Sequence, residues 1–528
     1  MRAKAALLVL TTLLAQVLGT AGAAAQDTGR VGFFTEVELI PAEGTLLSWD
    51  GHTYAGSLIV RGNGDGLTLI ERLPPERYLL GLQEVPFSWH QEALKTQAVA
   101  ARTYLAWTLA RERAGAARFY GFDICATSAC QVYGGLDLVN GSGGERWREA
   151  VTSTVGEVLL FEGAPAFSIY SSTTGGSTNS IEDVYADRDP VPYLKGVASE
   201  GESSPYVDWA FHVPANVMQE IVDAWGELAG HLTDIDVDTK NPGEGPWMVR
   251  LVSDVGGTDL TTWEFRSVMN RWGPEVAPEV LPALRPDGRA YPQVVLSPTY
   301  TVVRQTRYLP VAETGEIGRR VVYRFHGGGW GHTVGLSQYG ALAMAERGAN
   351  YVQILSHYYS GLIPDEAPNA LPDEIAVGLV WARDRLTIRP DGALTVIADG
   401  ETIALDALGS WEFVADADDV VVRAPTGLGL PLVVRNVPPL VVASLGEAPV
   451  ISFTLSGPAE VRLVVFEGPA VVATTEWAVR EAGDQVIVWD GLVAGGLVEV
   501  GRYRLLVEAR TSDLFAHQLT TVGIGGGR

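Results

Sequence analysis

Cysteine is nearly missing from this chain of 528 residues: Cys125 and Cys130 are the only two. They allow one bridge at most and supply only half of the four protein ligands a structural zinc site takes. Basic residues are also scarce, 38 against 63 acidic ones, and no Lys/Arg-rich run occurs. A formal charge of -25 repels nucleic acid and anionic polymers, so a neutral or locally zwitterionic substrate fits better. Long apolar runs are missing too. Ala5 to Leu18 is mostly apolar but short for a membrane span, and no other stretch approaches that length.

That first run follows Arg2 and Lys4 and precedes Ala23-Ala24-Ala25, a small-residue cleavage pattern. Residues 1–25 therefore read as a secretory signal, with an uncleaved anchor as the alternative. No cysteine lies near the cleavage site, so a lipid anchor has no attachment point. The expectation is an exported protein in periplasm, wall or medium, without membrane insertion once the signal is removed. Oxidation is favoured there, and a small Cys125–Cys130 loop disulfide is the default reading.

The length suggests two to four domains. Hydrophobic content of 47% with 19% charged residues supports large cores and argues against wholesale disorder. The densest stretch is Glu84-Val-Pro-Phe-Ser-Trp-His-Gln-Glu-Ala-Leu-Lys-Thr-Gln-Ala-Val-Ala-Ala-Arg-Thr-Tyr104. Ser88 and Gln91 are spaced as a capping box, Leu94, Ala98, Ala101, Leu105 and Leu109 recur at helical spacing to form one apolar face, and Gly115 is a plausible stop. Glu84 precedes this helix on a loop stiffened by Pro86. A loop carboxylate can simply complement the helix N-terminus. Held beside Phe87 and Trp89, it is also a candidate acid/base group.

Two further motifs stand out. One is Phe167-Ser-Ile-Tyr-Ser-Ser-Thr-Thr-Gly-Gly-Ser-Thr-Asn179, followed by Glu182-Asp-Val-Tyr185. Small hydroxyls at Ser171, Ser172, Thr173 and Thr174 beside Gly175 and Gly176 let polar groups approach a sugar closely, though such runs are often plain polar loops. The other is Phe325-His-Gly-Gly-Gly-Trp-Gly-His-Thr-Val-Gly-Leu-Ser-Gln-Tyr-Gly-Ala341, in which Ser337 can cap a helix, as Asn350 can further on. His326 and His332 alone would under-ligate a metal.

Taken in order, these three motifs resemble the SpoIID/LytB family, the stage II sporulation protein D and amidase-enhancer proteins. The likeness covers roughly residues 31 to 365. It departs from the family at Ser171, where a His is usual, and at Thr333, where a Gly is usual. The resemblance implies a lytic transglycosylase acting on peptidoglycan glycan strands, with Glu84 as general acid/base. It implies cleavage of the bond between N-acetylmuramic acid and N-acetylglucosamine to leave 1,6-anhydro ends, with strands already stripped of stem peptides as the preferred substrate. Expected substrate contacts are Gln97, Arg102, Tyr104, Ser171, Ser172, Thr173, Thr174, Gly175, Gly176, Asp183, His332, Gln338 and Tyr339. Some members hold zinc near the Cys125 position through Cys and His. Residues 123–133 contain no His, so zinc at Cys125 and Cys130 stands only if distant residues complete the shell, and the disulfide is preferred. The rival reading is a non-catalytic glycan-binding enhancer of a partner amidase. An adhesin whose β tail carries the function and a metal-dependent hydrolase fit less well.

The expected fold class is α+β: a mixed domain over 31–365, a Pro- and acid-rich linker over 364–372, a small β module over 374–440, and an Ig-like β-sandwich over 447–525 resembling that of the flagellar hook-capping protein family. Trp209 to Ala229 contains a helical pattern.

Overall fold

The structure is a computed structural model that describes residues 31–241, 243–310, 317–367, 369–405, 409–423, 432–493, 496–512 and 514–525. The signal segment 1–25 lies outside these. The chain folds as two compact units. One comprises Gly51–Gly56 and Ile70–Val380; the other comprises the described residues of Met1–Asp50, Ser57–Leu69 and Trp381–Arg528. The class is α+β with all-β modules at the C-terminal end. No helix among the described residues is long and apolar enough to cross a membrane.

In the first unit a helix from Gln91 to Leu109 is buried along most of its circumference, not on the single face expected. The short side chains of Ala98, Ala100 and Ala101 let neighbours approach from several sides: the helices Gly144–Thr152, Gln338–Glu346 and Tyr351–Tyr358, and the strand Glu157–Phe161. The helix starts two residues later than a Ser88 cap requires. Ser88 is spent in a turn closed by Trp89 N–H on the Pro86 carbonyl (3.1 Å), and His90 Nδ1 caps instead, accepting from Glu92 N–H (3.3 Å). Gly115 does not end this helix but opens a short one, Gly115–Tyr120. The expected caps at Ser337 and Asn350 are present, the latter as a full capping box with Gln353.

A second core of the same unit gathers Trp209, Phe211, Met218, Ile221, Phe265, Met269, Tyr300 and Phe325. It lies between the sheet of Trp209–Pro214, Ile317–Gly327 and Tyr300–Pro310 and the helices Ala215–Trp225 and Thr262–Val276. The helical pattern within Trp209 to Ala229 is the helix Ala215–Trp225, and a strand, Trp209–Pro214, precedes it. Trp209, Phe211 and Val213 alternate inward, and Pro214 blocks a helix before Ala215. Residues 364–366, expected as linker, pair with Glu157–Leu159 as a short strand.

In the other unit, strands Val31–Phe34 and Glu36–Pro41 pair with Asp419–Arg423 and Leu394–Ala398, so they do not belong to an N-terminal domain running from 31. Further on, two sheets close over one core that includes Ile451, Phe453, Leu463, Trp489, Leu505 and Val522.

Candidate active site

Glu84 sits on the loop before the central helix. Its Oε1 accepts the Val132 N–H at 2.7 Å and the Tyr170 hydroxyl at 3.1 Å. Burial raises its pKa above the usual carboxylate range, against the opposing pull of those two donors and the Gln338 amide. The residue nonetheless keeps partial solvent exposure. Of the neighbouring aromatics, Phe87 stacks on Trp147 at 5.5 Å, and Trp89 meets Tyr339 edge-on at 4.9 Å. Three phenols stand within reach of its charge. Tyr78, Tyr104 and Tyr170 all have pKa values raised by burial first, with the nearby Glu84 charge adding to it.

The proton on Tyr170 has an assigned direction. Tyr78 donates to Gln131 Oε1 (3.1 Å), which leaves the Gln131 amide to donate to Tyr170 Oη (3.0 Å), so Tyr170 donates to Glu84. Gln131, Val132 and Tyr133 form a strap beside the acid. Cys125 and Cys130, joined by a disulfide with Cα atoms 5.4 Å apart, close the loop just before it. With both thiols consumed, these cysteines do not fit zinc, and no three of His, Cys, Asp and Glu gather as ligands among the described residues. At the strap's far end Tyr133 donates to Glu71 Oε2 (2.6 Å), a fully buried carboxyl pushed up to about 7 by desolvation.

The hydroxyl run packs beside this acid. Tyr170-Ser171 pairs in parallel with Leu336-Ser337, joining the second and third motifs. What fixes the run is Glu202, a residue that no sequence signal singles out. Its carboxylate accepts from the hydroxyls of Thr173, Thr174 (2.8 Å), Ser199 (2.6 Å) and Ser337 (2.5 Å) and from the N–H groups of Thr174 (3.0 Å) and Gly175 (3.0 Å). Burial alone would raise its pKa; the hydroxyl donors outweigh that and hold it below the usual range. Gly175 takes φ +76° with the Gly328 backbone so close that a Cβ would lie 2.9 Å from it.

Comparison with known proteins fits this arrangement. The stage II sporulation protein family model matches residues 63–161, the segment that supplies Glu84, Gln97, Arg102, Tyr104 and Gln131. This segment is similar to the SpoIID family. An uncharacterised protein of Brachyspira hyodysenteriae is 27% identical over 315 residues, 59% of this chain and 72% of that one. Stage II sporulation protein D of Bacillus amyloliquefaciens is 27% identical over 327 residues, 58% of this chain and 78% of its own. The amidase enhancer of Bacillus subtilis is 26% identical over 304 residues, 53% of this chain and 38% of its own.

Across the matched segment and the motifs that follow it, the expected contact residues separate into two groups. Near Glu84 lie Tyr104, which feels its charge, and Gln338, whose amide acts on Glu84 and also reaches Gln97 Oε1 (3.3 Å). Gln97 Nε2 and Ser171 Oγ are buried with no hydrogen-bond partner among the described residues. The Ser172 carbonyl takes the Tyr339 N–H (3.0 Å), and Tyr339 stays half-buried against Trp89. Gly176 adopts φ +112°, and a Cβ there would meet nothing within 4 Å.

The second group holds the fold together. Thr173, Thr174 and Gly175 spend their donors on Glu202. Arg102 is fully buried, paired through two nitrogens with Glu76 (2.6 and 2.8 Å) and bonded to the Val151 carbonyl, so it offers nothing to a ligand. Asp183 accepts the N–H groups of Gly243 (2.9 Å) and Gly245 (3.1 Å), pinning a loop. His332 accepts Val334 N–H on Nδ1 (3.1 Å) and bonds the Tyr170 backbone; burial lowers its pKa to about 4, so the ring is a neutral fastener. His326 instead pairs with Asp208 (2.8 Å).

Proposed function

We propose that this protein is an exported peptidoglycan lytic transglycosylase in which Glu84 is the general acid/base. The observation that carries the reading is a desolvated carboxyl with a raised pKa, set among phenols and amides at the meeting of all three sequence motifs. Protonated Glu84 gives its proton to the glycosidic oxygen as the bond from muramoyl C1 breaks. The carboxylate then takes the proton of the muramoyl C6 hydroxyl, whose oxygen attacks C1. A 1,6-anhydro ring closes, Glu84 is protonated again, and no water is consumed. A hydrolase of the common kind uses two carboxylates. The intramolecular route needs only the one carboxyl, Glu84, with its donors from Val132, Tyr170 and Gln338. The Val132 N–H and Tyr170 hydroxyl receive the charge when Glu84 is ionised.

Two readouts test this. Mass spectrometry of digested glycan strands, intact and amidase-stripped, should show anhydro-muramoyl ends; reducing ends would mean water is the nucleophile. The rate should fall as pH rises through the elevated Glu84 pKa, because the acid form starts the reaction. Tyr170→Phe removes a donor that stabilises the carboxylate, so the falling limb moves to higher pH. A limb unmoved, or moved down, would count against this hydrogen bond.

The relative named an amidase enhancer supports a second reading, glycan binding without cleavage on behalf of a wall amidase. Strand binding with no new ends, anhydro or reducing, would favour it.

A further inference from the structure

Three arginines are buried among the described residues: Arg102, Arg266 and Arg435. Arg102 is matched by Glu76, and Arg435 by Asp399 and Asp419. Arg266, on the helix Thr262–Val276, has no carboxylate. Its Nε donates to the Leu296 carbonyl (3.2 Å) and its Nη2 to Gln293 Oε1 (2.5 Å), both neutral. Its Nη1 has no hydrogen-bond partner among the described residues, yet it is not sealed from solvent. Burial draws the guanidinium pKa down to about 10, so it remains a cation at neutral pH. A buried charge without a counter-charge is costly, and a fold that matches its other two leaves this one open for a ligand.

The surroundings say where that ligand would lie. The guanidinium stacks on Trp263 at 4.7 Å, and Tyr185 meets the same indole edge-on at 5.3 Å. Trp263 and Tyr185 pack on the core that also carries Trp89, Tyr104 and Tyr339, and Tyr104 feels both Tyr185 and the charge of Glu84. The Arg266 charge acts on His332, which is bonded to the Tyr170 backbone. Aromatic walls suit a sugar ring, and a planar guanidinium suits a carboxylate. A buried cation without a carboxylate, in a chain of net charge -25, suits a single anionic group on an otherwise neutral polymer.

We propose that Arg266 forms an anion subsite of this cleft, and that its ligand is a carboxylate borne by the glycan: the lactyl carboxylate that a muramoyl residue exposes once its stem peptide is removed. The proposal rests on the reading of Glu84 as acting on such strands. It gives a physical reason for choosing stripped strands, since the stem peptide converts that carboxylate into an uncharged amide. Arg266 is thus a specificity-determining residue, and its effect belongs in KM.

The test compares three substrates with the full chain: intact strands, amidase-stripped strands, and stripped strands whose lactyl carboxylates have been converted to methyl amides. Affinity is measured with Glu84→Gln, so that no turnover is needed, and KM with wild type. Conversion to the amide should weaken binding roughly ten- to hundredfold, as expected for loss of a charge-assisted hydrogen bond. Arg266→Gln, checked for a retained thermal transition, should bind both stripped forms equally weakly. Intact strands binding as well as stripped ones would place the anion on the peptide and overturn the proposal. Equal affinity of wild type for the free and amidated forms would also overturn it, needing no folded variant, while leaving the role of Glu84 untouched. Absence of anhydro ends would instead count against Glu84 and leave the affinity comparison to decide Arg266.

Discussion

Glu84→Gln should lower the rate of anhydro-end formation by about 10²- to 10⁴-fold, the range general acid/base groups contribute. It should do so without lowering stability. The amide keeps the shape and still offers an oxygen to Val132 N–H and the Tyr170 hydroxyl. Wild type holds an ionisable group where burial disfavours the charge, so removing the charge relieves a cost. A retained or slightly raised thermal midpoint together with a collapsed rate separates a reacting group from a structural one. Wild-type rates from the variant would sink the assignment, and a collapse of both rate and midpoint would reassign Glu84 to the scaffold.

Glu202→Ala should show the opposite pairing. Its carboxylate collects donors from Thr173, Thr174, Gly175, Ser199 and Ser337, and truncation leaves several of them buried without an acceptor. The expected loss is roughly 3–5 kcal/mol, given about 1–3 kcal/mol for each stranded polar group and partial rescue by water. A denaturant titration reads it as a lower midpoint with an unchanged slope. pH gives an independent check. The folded pKa of Glu202 lies below its unfolded value, so its contribution is fully present above the unfolded pKa and is lost as pH falls through the folded one. Wild type should therefore lose stability in that acidic window while Glu202→Ala loses less. A destabilisation under about 1 kcal/mol would show that the hydroxyl loop stands without its anchor.

The loop position of Glu84 just before a helix is legible in the sequence because an acid, a proline and the helix lie within a few residues. The caps at Ser337 and Asn350 are legible for the same reason. Glu202 is not. It sits in Ser199-Glu-Gly-Glu-Ser203 beside an equally acidic Glu200, and nothing nearby shows that Thr173 and Ser337 will converge on it. The resemblance offers Arg102 and Asp183 as substrate contacts, but the partners that occupy them, Glu76 and the backbone of Gly243 and Gly245, come from separate segments. The strand Glu36–Pro41 reads as part of the wrong domain because its partner, Leu394–Ala398, is far along the chain and alternation carries no address.

The convergence on Glu202 bears on how this protein can vary. Thr173, Ser199 and Ser337 look like three independent positions, yet each spends its hydroxyl on the same two oxygens. Once the first is replaced, the carboxylate is less well solvated and the remaining donors carry more of it. Double-mutant cycles among the three should yield coupling energies well outside additivity, on the order of 1 kcal/mol or more, whereas distant pairs should add. Drift at any one of these loops is therefore epistatic with the other two, and the second and third motifs can change only as a set.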